Sequence, residues 1–330
     1  MKKRESDLCK ALVLYQPAGN IRNFARNLAS TTDNLDSKKT TSTERSKFYT
    51  VFFICGILIV TASFICRNSQ DGCLPDSPQI NFTVVAKELN RFLYGQNMAV
   101  NILVENLRHV SVTVENIHVF LLYGGTGTGK TWTLHLLSRS LPVNVKQIFL
   151  HLESLSDEEI SDRIADIKCC EWNFLFIEDT DYADYRKIER MIRVLNEVAR
   201  ESASVCPDLK IIVMLTSSVG QRALTKILFD QFQNNGSRDS VNLSRLNEID
   251  SPLITALNEN YIHFVSVPYL PLGKEEIKSC ILEDCRLKKK VTSATVIGQI
   301  MRSVRFFPAT QEYFSVTGCK TVSTKVNLYS

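Results

Sequence analysis

The sequence predicts an α/β fold: a parallel sheet with helices on both faces, followed by a small helical region and preceded by one membrane-spanning helix. Three observations carry that expectation. Apolar strand-like runs alternate with helical patterns between residues 118 and 267. The first run leads into a glycine-rich loop, 124–131, that opens a helix. The third run ends in two acids, Glu178 and Asp179.

The first segment, 1–47, is rich in Ser, Thr, Asn and Lys, and its 30–47 stretch has the composition of a disordered arm. Residues 48–66 read FYTVFFICGILIVTASFIC and contain no charge. At 1.5 Å per residue such a helix reaches roughly 27 Å, the hydrocarbon thickness of a thin membrane. A buried core helix is the alternative, but this run has no polar face and is bracketed by Lys47 and Arg67. The long preceding arm argues against a cleaved signal peptide. Lys38, Lys39, Arg45 and Lys47 precede the run, whereas only Arg67 follows closely, with Asp71 and Asp76 beyond. The positive-inside rule then keeps the arm in the cytosol and sends the body across, as a type II single-pass protein. Three glycosylation sequons, at Asn81, Asn235 and Asn242, fit a lumenal body.

A polar linker, 67–80, joins the span to the body. Strands are expected at 118–123, 147–152, 172–177, 210–215 and 261–267, the last stopped by Pro268 and Pro271. Helices are expected at 131–140, at 157–167 with Ile160, Ile164 and Ile167 on one face, and at 185–202. From Gly273 onward the pattern is helical with no clear strand. The expected organisation is a large α/β domain over 81–272 and a small helical domain over 273–330.

Charge and cysteine usage narrow the function classes. Net charge is +4, yet residues 1–48 hold ten Lys or Arg against five Asp or Glu, so the body is close to neutral. A nucleic-acid binder shows its basic excess on a folded domain, and that excess is missing here. The ten cysteines form no CxxC pair and the five histidines have no ligand spacing, which argues against structural zinc.

Gly124-Gly125-Thr126-Gly127-Thr128-Gly129-Lys130-Thr131 fits G-x-x-x-x-G-K-[ST]. The glycines let backbone N–H groups wrap a phosphate chain, and the following helix turns its positive end to the same anion. Lys130 would meet the β- and γ-phosphates of ATP, and Thr131 would place its hydroxyl on Mg²⁺. A glycine turn that binds nothing is the alternative, but the motif has the required strand before it and helix after it. Such a loop needs a carboxylate at a neighbouring strand end. Glu178 fits the metal side, and Asp179 the water-orienting position, one methylene shorter than a Glu there. Capping acids at a helix start are the alternative, which accounts for Asp181 and Asp184 better than for Glu178.

Several stretches together resemble torsins, an AAA+ family related to ClpA and ClpB that works in the endoplasmic reticulum and nuclear envelope. They are Leu93-Tyr94-Gly95-Gln96 with Ala99, the core of the phosphate loop, Tyr269-Leu270-Pro271-Leu272 with Cys280, Phe307-Pro308, and 314–322 with Gly318-Cys319-Lys320. The resemblance spans about 80–330, and Val326-Asn327-Leu328 and the anchor are most similar to the type-four (4A) branch. It implies an AAA+ fold in which the 93–96 stretch lies near the adenine and Lys320 contacts the γ-phosphate as a sensor-2 residue. It also implies a redox-sensitive Cys280–Cys319 disulfide, with two ordinary buried thiols as the other reading. Cys169-Cys170 reads as buried near a helix end. Thr131 stands where many torsins have Asn. Ser217 stands near the sensor-1 Asn, and its hydroxyl would hold the water only through another water. Torsins take an arginine finger from a partner, so an activating lumenal-domain membrane protein and self-assembly into rings or filaments are implied. Arg222, Arg238, Arg245, Arg286 and Lys288–Lys290 read as solvated surface charge.

Three functions follow as expectations: a weak, partner-activated ATPase that remodels lumenal or membrane proteins; an ATP-binding scaffold without turnover; and a cytosol-facing ATPase on a reversed anchor. No nucleic-acid partner is expected.

Overall fold

A computed structural model of the chain describes residues 80–330 except 168–171, 182–184, 203–205, 207, 243–245, 247–248, 250–252, 256, 258–263, 291–292 and 330. All described residues fall in the unit Cys73–Ser330. The arm 1–47, the apolar run 48–66, the linker up to residue 79, Cys169-Cys170, Asp184, Arg245 and most of the Asn242 sequon lie outside the described residues. No helix among the described residues is long and apolar enough to cross a membrane.

Two helices come first, α1 (Phe82–Phe92) and α2 (Asn97–Val110). The sequence reading assigned neither, although Val85 and Leu89, and Val100, Leu103, Val104 and Leu107, are buried at helical spacing. Asn81 starts α1 by accepting from the Thr83 and Val84 amides, which satisfies two first-turn donors. There follow β1 (Ile117–Gly124), α3 (Lys130–Ser140), β2 (Lys146–Leu150), α4 (Asp157–Ile164), β3 (Trp172–Ile177), α5 (Tyr185–Ser202), β4 (Lys210–Ser217), α6 (Gln221–Gln233) and β5 (Phe264–Tyr269).

These strands form one parallel sheet in the order β2-β3-β4-β1-β5. Successive side chains of a strand point to opposite faces, and here both faces are dry. Val119, Leu121 and Tyr123 join Leu175, Val213 and Leu215 under α4, α5 and α6, through Ile160, Ile192, Leu195 and Leu224. Phe120, Leu122, Phe176 and Met214 join α1, α2 and α3 on the other side, through Leu89, Leu103, Leu107 and Leu137. Each such side chain contributes about 1.5–3 kcal/mol by leaving water. The sheet therefore fixes the C-terminal ends of β1, β3 and β4 side by side.

The fifth strand departs from its expected bounds. It is not stopped by Pro268, which lies inside it in register with Tyr123. Proline is tolerated there because β5 is an edge strand and one edge needs no donors.

The C-terminal part holds α7 (Lys274–Leu287), α8 (Ala294–Ser303) and α9 (Val322–Tyr329) around their own core of Ile277, Ile281, Cys285, Ile300, Val304 and Val326. It also holds a strand pair that the helical pattern did not suggest, β6 (Phe306–Phe307) with β7 (Phe314–Ser315). Two residues per strand are too few to register as a periodicity. This hairpin docks on α6: Phe314 stacks on Phe232 at 5.6 Å, and Tyr313 meets both Phe229 and Phe232 edge-on.

Candidate nucleotide site

The phosphate loop leaves β1 at the centre of the sheet and enters α3. Gly129, the residue before α3, offers no side-chain cap, so the first turn of the helix keeps N–H groups that an anion could satisfy. Gly127 is left-handed at φ 71°, and a Cβ there would stand 2.0 Å from the Thr317 carbonyl. Only glycine fits, because the 317–320 turn rests directly on the loop, with the Cys319 amide donating to the Gly127 carbonyl at 2.9 Å. Gly124 and Gly125 are buried, Thr126 is exposed, and the Thr128 hydroxyl donates to the Gly125 carbonyl at 2.8 Å.

Lys130 bends back onto the loop and donates to the Gly124 and Gly125 carbonyls, each at 2.8 Å. Burial pulls its pKa down to about 8; Asp181 and Asp179 oppose the shift and Lys320 adds to it. A nucleotide phosphate would offer this ammonium a stronger partner than two carbonyls. Thr131, half-buried, follows in the first turn of α3, and Glu178, half-buried, closes β3. Neither side chain has a hydrogen-bond or ion-pair partner among the described residues. No group of three or more His, Cys, Asp or Glu among them would hold a metal alone. That donor set fits Mg²⁺, which takes one or two protein oxygens and fills its shell with phosphate oxygens and water.

Beyond Glu178 the chain hangs on the end of β4. The Asp179 amide donates to the Thr216 hydroxyl, and the Thr180 amide and hydroxyl both donate to the Thr216 carbonyl. Asp179 is exposed and left-handed, at φ 50°. The Asp181 carboxylate accepts from the Ser217 hydroxyl at 2.5 Å and from the Ser218 amide at 2.8 Å. Ser217 therefore meets a carboxylate, and sequence reasoning missed Asp181 because nothing local links it to a strand 36 residues on.

The predicted residues thus converge from four places: the loop with Lys130 and Thr131, the β3 end with Glu178 and Asp179, the β4 end with Ser217, and the turn with exposed Lys320. Cys280 and Cys319 are joined as a disulfide, with Cα atoms 6.2 Å apart. Arg222 is exposed as expected. Arg238 is not surface charge: its side chain is 12% exposed and pairs with Glu276. The basic end of α7 is also engaged, Arg286 with Glu283 and Lys288 with Asp284 and Ser323.

A family model described as Torsin-1A, C-terminal domain, matches residues 274–329. A Torsin-like protein from Caenorhabditis elegans is 20% identical over 281 residues, covering 76% of this chain and 78% of that one. Both matches are to torsins, one over the C-terminal part and one over most of the chain. Among solved structures, the chain is similar to a closed-state cryo-EM reconstruction of Hsp104 with ATPγS and FITC-casein, at 14% identity and a TM-score of 0.48. It is also similar to a Thermotoga maritima RuvB mutant, at 14% identity and a TM-score of 0.40. The matches cover 75% and 77% of this chain but only 44% and 64% of those chains, less than two thirds of each.

Proposed function

We propose that this chain is a torsin-like, membrane-anchored AAA+ ATPase that binds and slowly hydrolyses ATP to remodel proteins in the lumen of the endoplasmic reticulum or nuclear envelope, activated by a partner. One observation carries the nucleotide part of this reading. Lys130 lies in a glycine loop at the uncapped start of α3, with Glu178, Asp179 and Asp181 at the adjoining strand ends. In that role the loop amides and Lys130 bind the phosphates, Lys320 reaches them from the 317–320 turn, and Thr131 and Glu178 hold Mg²⁺. The metal, when bound, neutralises charge developing on the phosphates. The lumenal placement and the anchor rest on residues 38–67 and the sequons, and the type-four assignment on 48–66 and 326–328. Activation and self-assembly rest on the resemblance to torsins.

The test is ATP binding and phosphate release by the full-length chain beside Lys130→Ala. Binding lost with Lys130, together with measurable release, supports the ATPase. Absence of binding in a folded wild type removes the reading. Glycosidase digestion of protein made in microsomes tests the topology: a mobility shift supports a lumenal body, and protease access to the body without a shift reverses it.

A second reading, an ATP-binding scaffold without turnover, is favoured by the outward Asp179 and by the engagement of Ser217 with Asp181. If the short carboxylate limits hydrolysis, Asp179→Glu raises phosphate release severalfold while leaving ATP affinity unchanged. An unchanged rate argues against that cause.

A further inference from the structure

Arg238 begins a single 3-10 turn after α6, Arg238–Ser240, and reaches three separate segments. Its guanidinium donates to the Pro271 carbonyl at 2.7 Å and to the Gly95 carbonyl at 3.4 Å, and its Nε lies 3.5 Å from Glu276 Oε1. Glu276 in turn accepts from the Gly273 amide with its other oxygen, at 2.8 Å. Gly95 is left-handed at φ 66°, and a Cβ there would stand 2.6 Å from Glu276 Cγ, so the 93–96 loop and the first turn of α7 are in contact. Next to Arg238, Asp239 accepts from Asn97 at 3.3 Å.

The same loop is fastened to the phosphate loop. The buried Gln96 amide donates to the Thr128 carbonyl at 3.2 Å and to the Leu270 carbonyl at 2.8 Å, and its oxygen accepts from the Leu270 amide at 3.0 Å. Leu93 lies 3.0 Å from a Cβ built on Gly129. A nucleotide with its terminal phosphate towards Lys130, Glu178 and Asp181 must lead its nucleoside out of the loop on the other side. That side is where the 93–96 loop and the 270–273 connection meet α7.

Resting on the nucleotide reading above, we infer that Arg238 is a positioning residue for the nucleoside half of ATP. It ties the 93–96 loop, the 271–273 connection and the first turn of α7 into one wall against which the base is held. A planar fork with several donors suits this task, and a lysine, which carries its charge at one point, does not.

The experiment measures binding of two ligands, ATP and inorganic tripolyphosphate, to the full-length chain, with melting curves taken in parallel. Tripolyphosphate reads the phosphate loop alone. Arg238→Met is expected to weaken ATP about tenfold or more and to leave tripolyphosphate within about twofold. Arg238→Lys, the variant that decides the matter if Arg238→Met does not fold, is expected to weaken ATP selectively but less. Glu276→Gln keeps an oxygen for the Gly273 amide and removes the charge facing Arg238; a smaller selective loss is expected. Equal losses for both ligands, or no loss for either, overturn the inference. A wild type that binds tripolyphosphate as tightly as ATP overturns it too, while leaving the phosphate loop in place. A folded wild type that binds neither fails the nucleotide reading, and the inference falls with it.

Discussion

Lys130 carries a cation that the fold has pressed towards neutrality. Its folded pKa of about 8 lies below the ordinary 10.5, so the fold disfavours its charge. That burden on stability is fully present below pH 8 and lifts as pH rises from 8 to 10.5. Nucleotide binding has the opposite preference, because phosphate oxygens stabilise the charged amine. ATP binding near pH 9 is therefore expected to take up roughly 0.9 proton. Calorimetry in buffers of different ionisation enthalpy measures that uptake; a value near zero would show that Lys130 is already charged before ATP binds. At this scale the sequence was informative wherever the chemistry is contiguous. The eight-residue motif displays Lys130 and Thr131 together, and Glu178 follows directly on an apolar strand. It was silent where a role depends on distant chain: Asp181 needs Ser217, and Arg238 needs a carbonyl 143 residues away.

Two glycines with opposite surroundings test how the elements are fitted together. Gly127 lies under the 317–320 turn with no room for a Cβ, whereas a Cβ on Gly298, inside α8, meets nothing within 4 Å. Gly127→Ala is expected to cost about 1–3 kcal/mol through strain and displacement of the turn. Gly298→Ala is expected to add about 0.5–1 kcal/mol, since alanine loses less backbone freedom on entering a helix. Urea unfolding of both variants checks the contrast; equal effects would show that the loop and the turn are not in contact in solution. Among the elements themselves, the parallel strands were readable because burial on both faces leaves an uninterrupted apolar run, as in 174–177 and 211–215. The α1–α2 pair carries helical spacing at Val85 and Leu89 and at Val100, Leu103, Val104 and Leu107, so it too was legible in the sequence. The β6–β7 pair was too short to leave a pattern.

For the molecule as a whole, a covalent link fastens the part of the chain that touches the phosphate loop. The Cys280–Cys319 bond closes a loop over a separation of 39 residues, and both cysteines pack against the C-terminal core. In the chain-entropy view it stabilises the fold by up to about 4 kcal/mol. Cys206 is also disulfide-bonded, so reductant is expected to lower the urea midpoint of the wild type by more than that of a Cys280→Ser, Cys319→Ser double variant. An unchanged wild type would show that the bond is absent or contributes nothing. The three apolar clusters of this fold were foreseeable as strands and helices, but their division between two sheet faces and a separate C-terminal core emerges only from strand order. The outermost strand has one more consequence. Pro268 leaves β5 without one of its donors, so a second copy cannot zip onto that edge with an unbroken ladder of backbone bonds. Copies that met at that edge would do so through side chains instead, and such contacts can be made and released without disturbing the sheet.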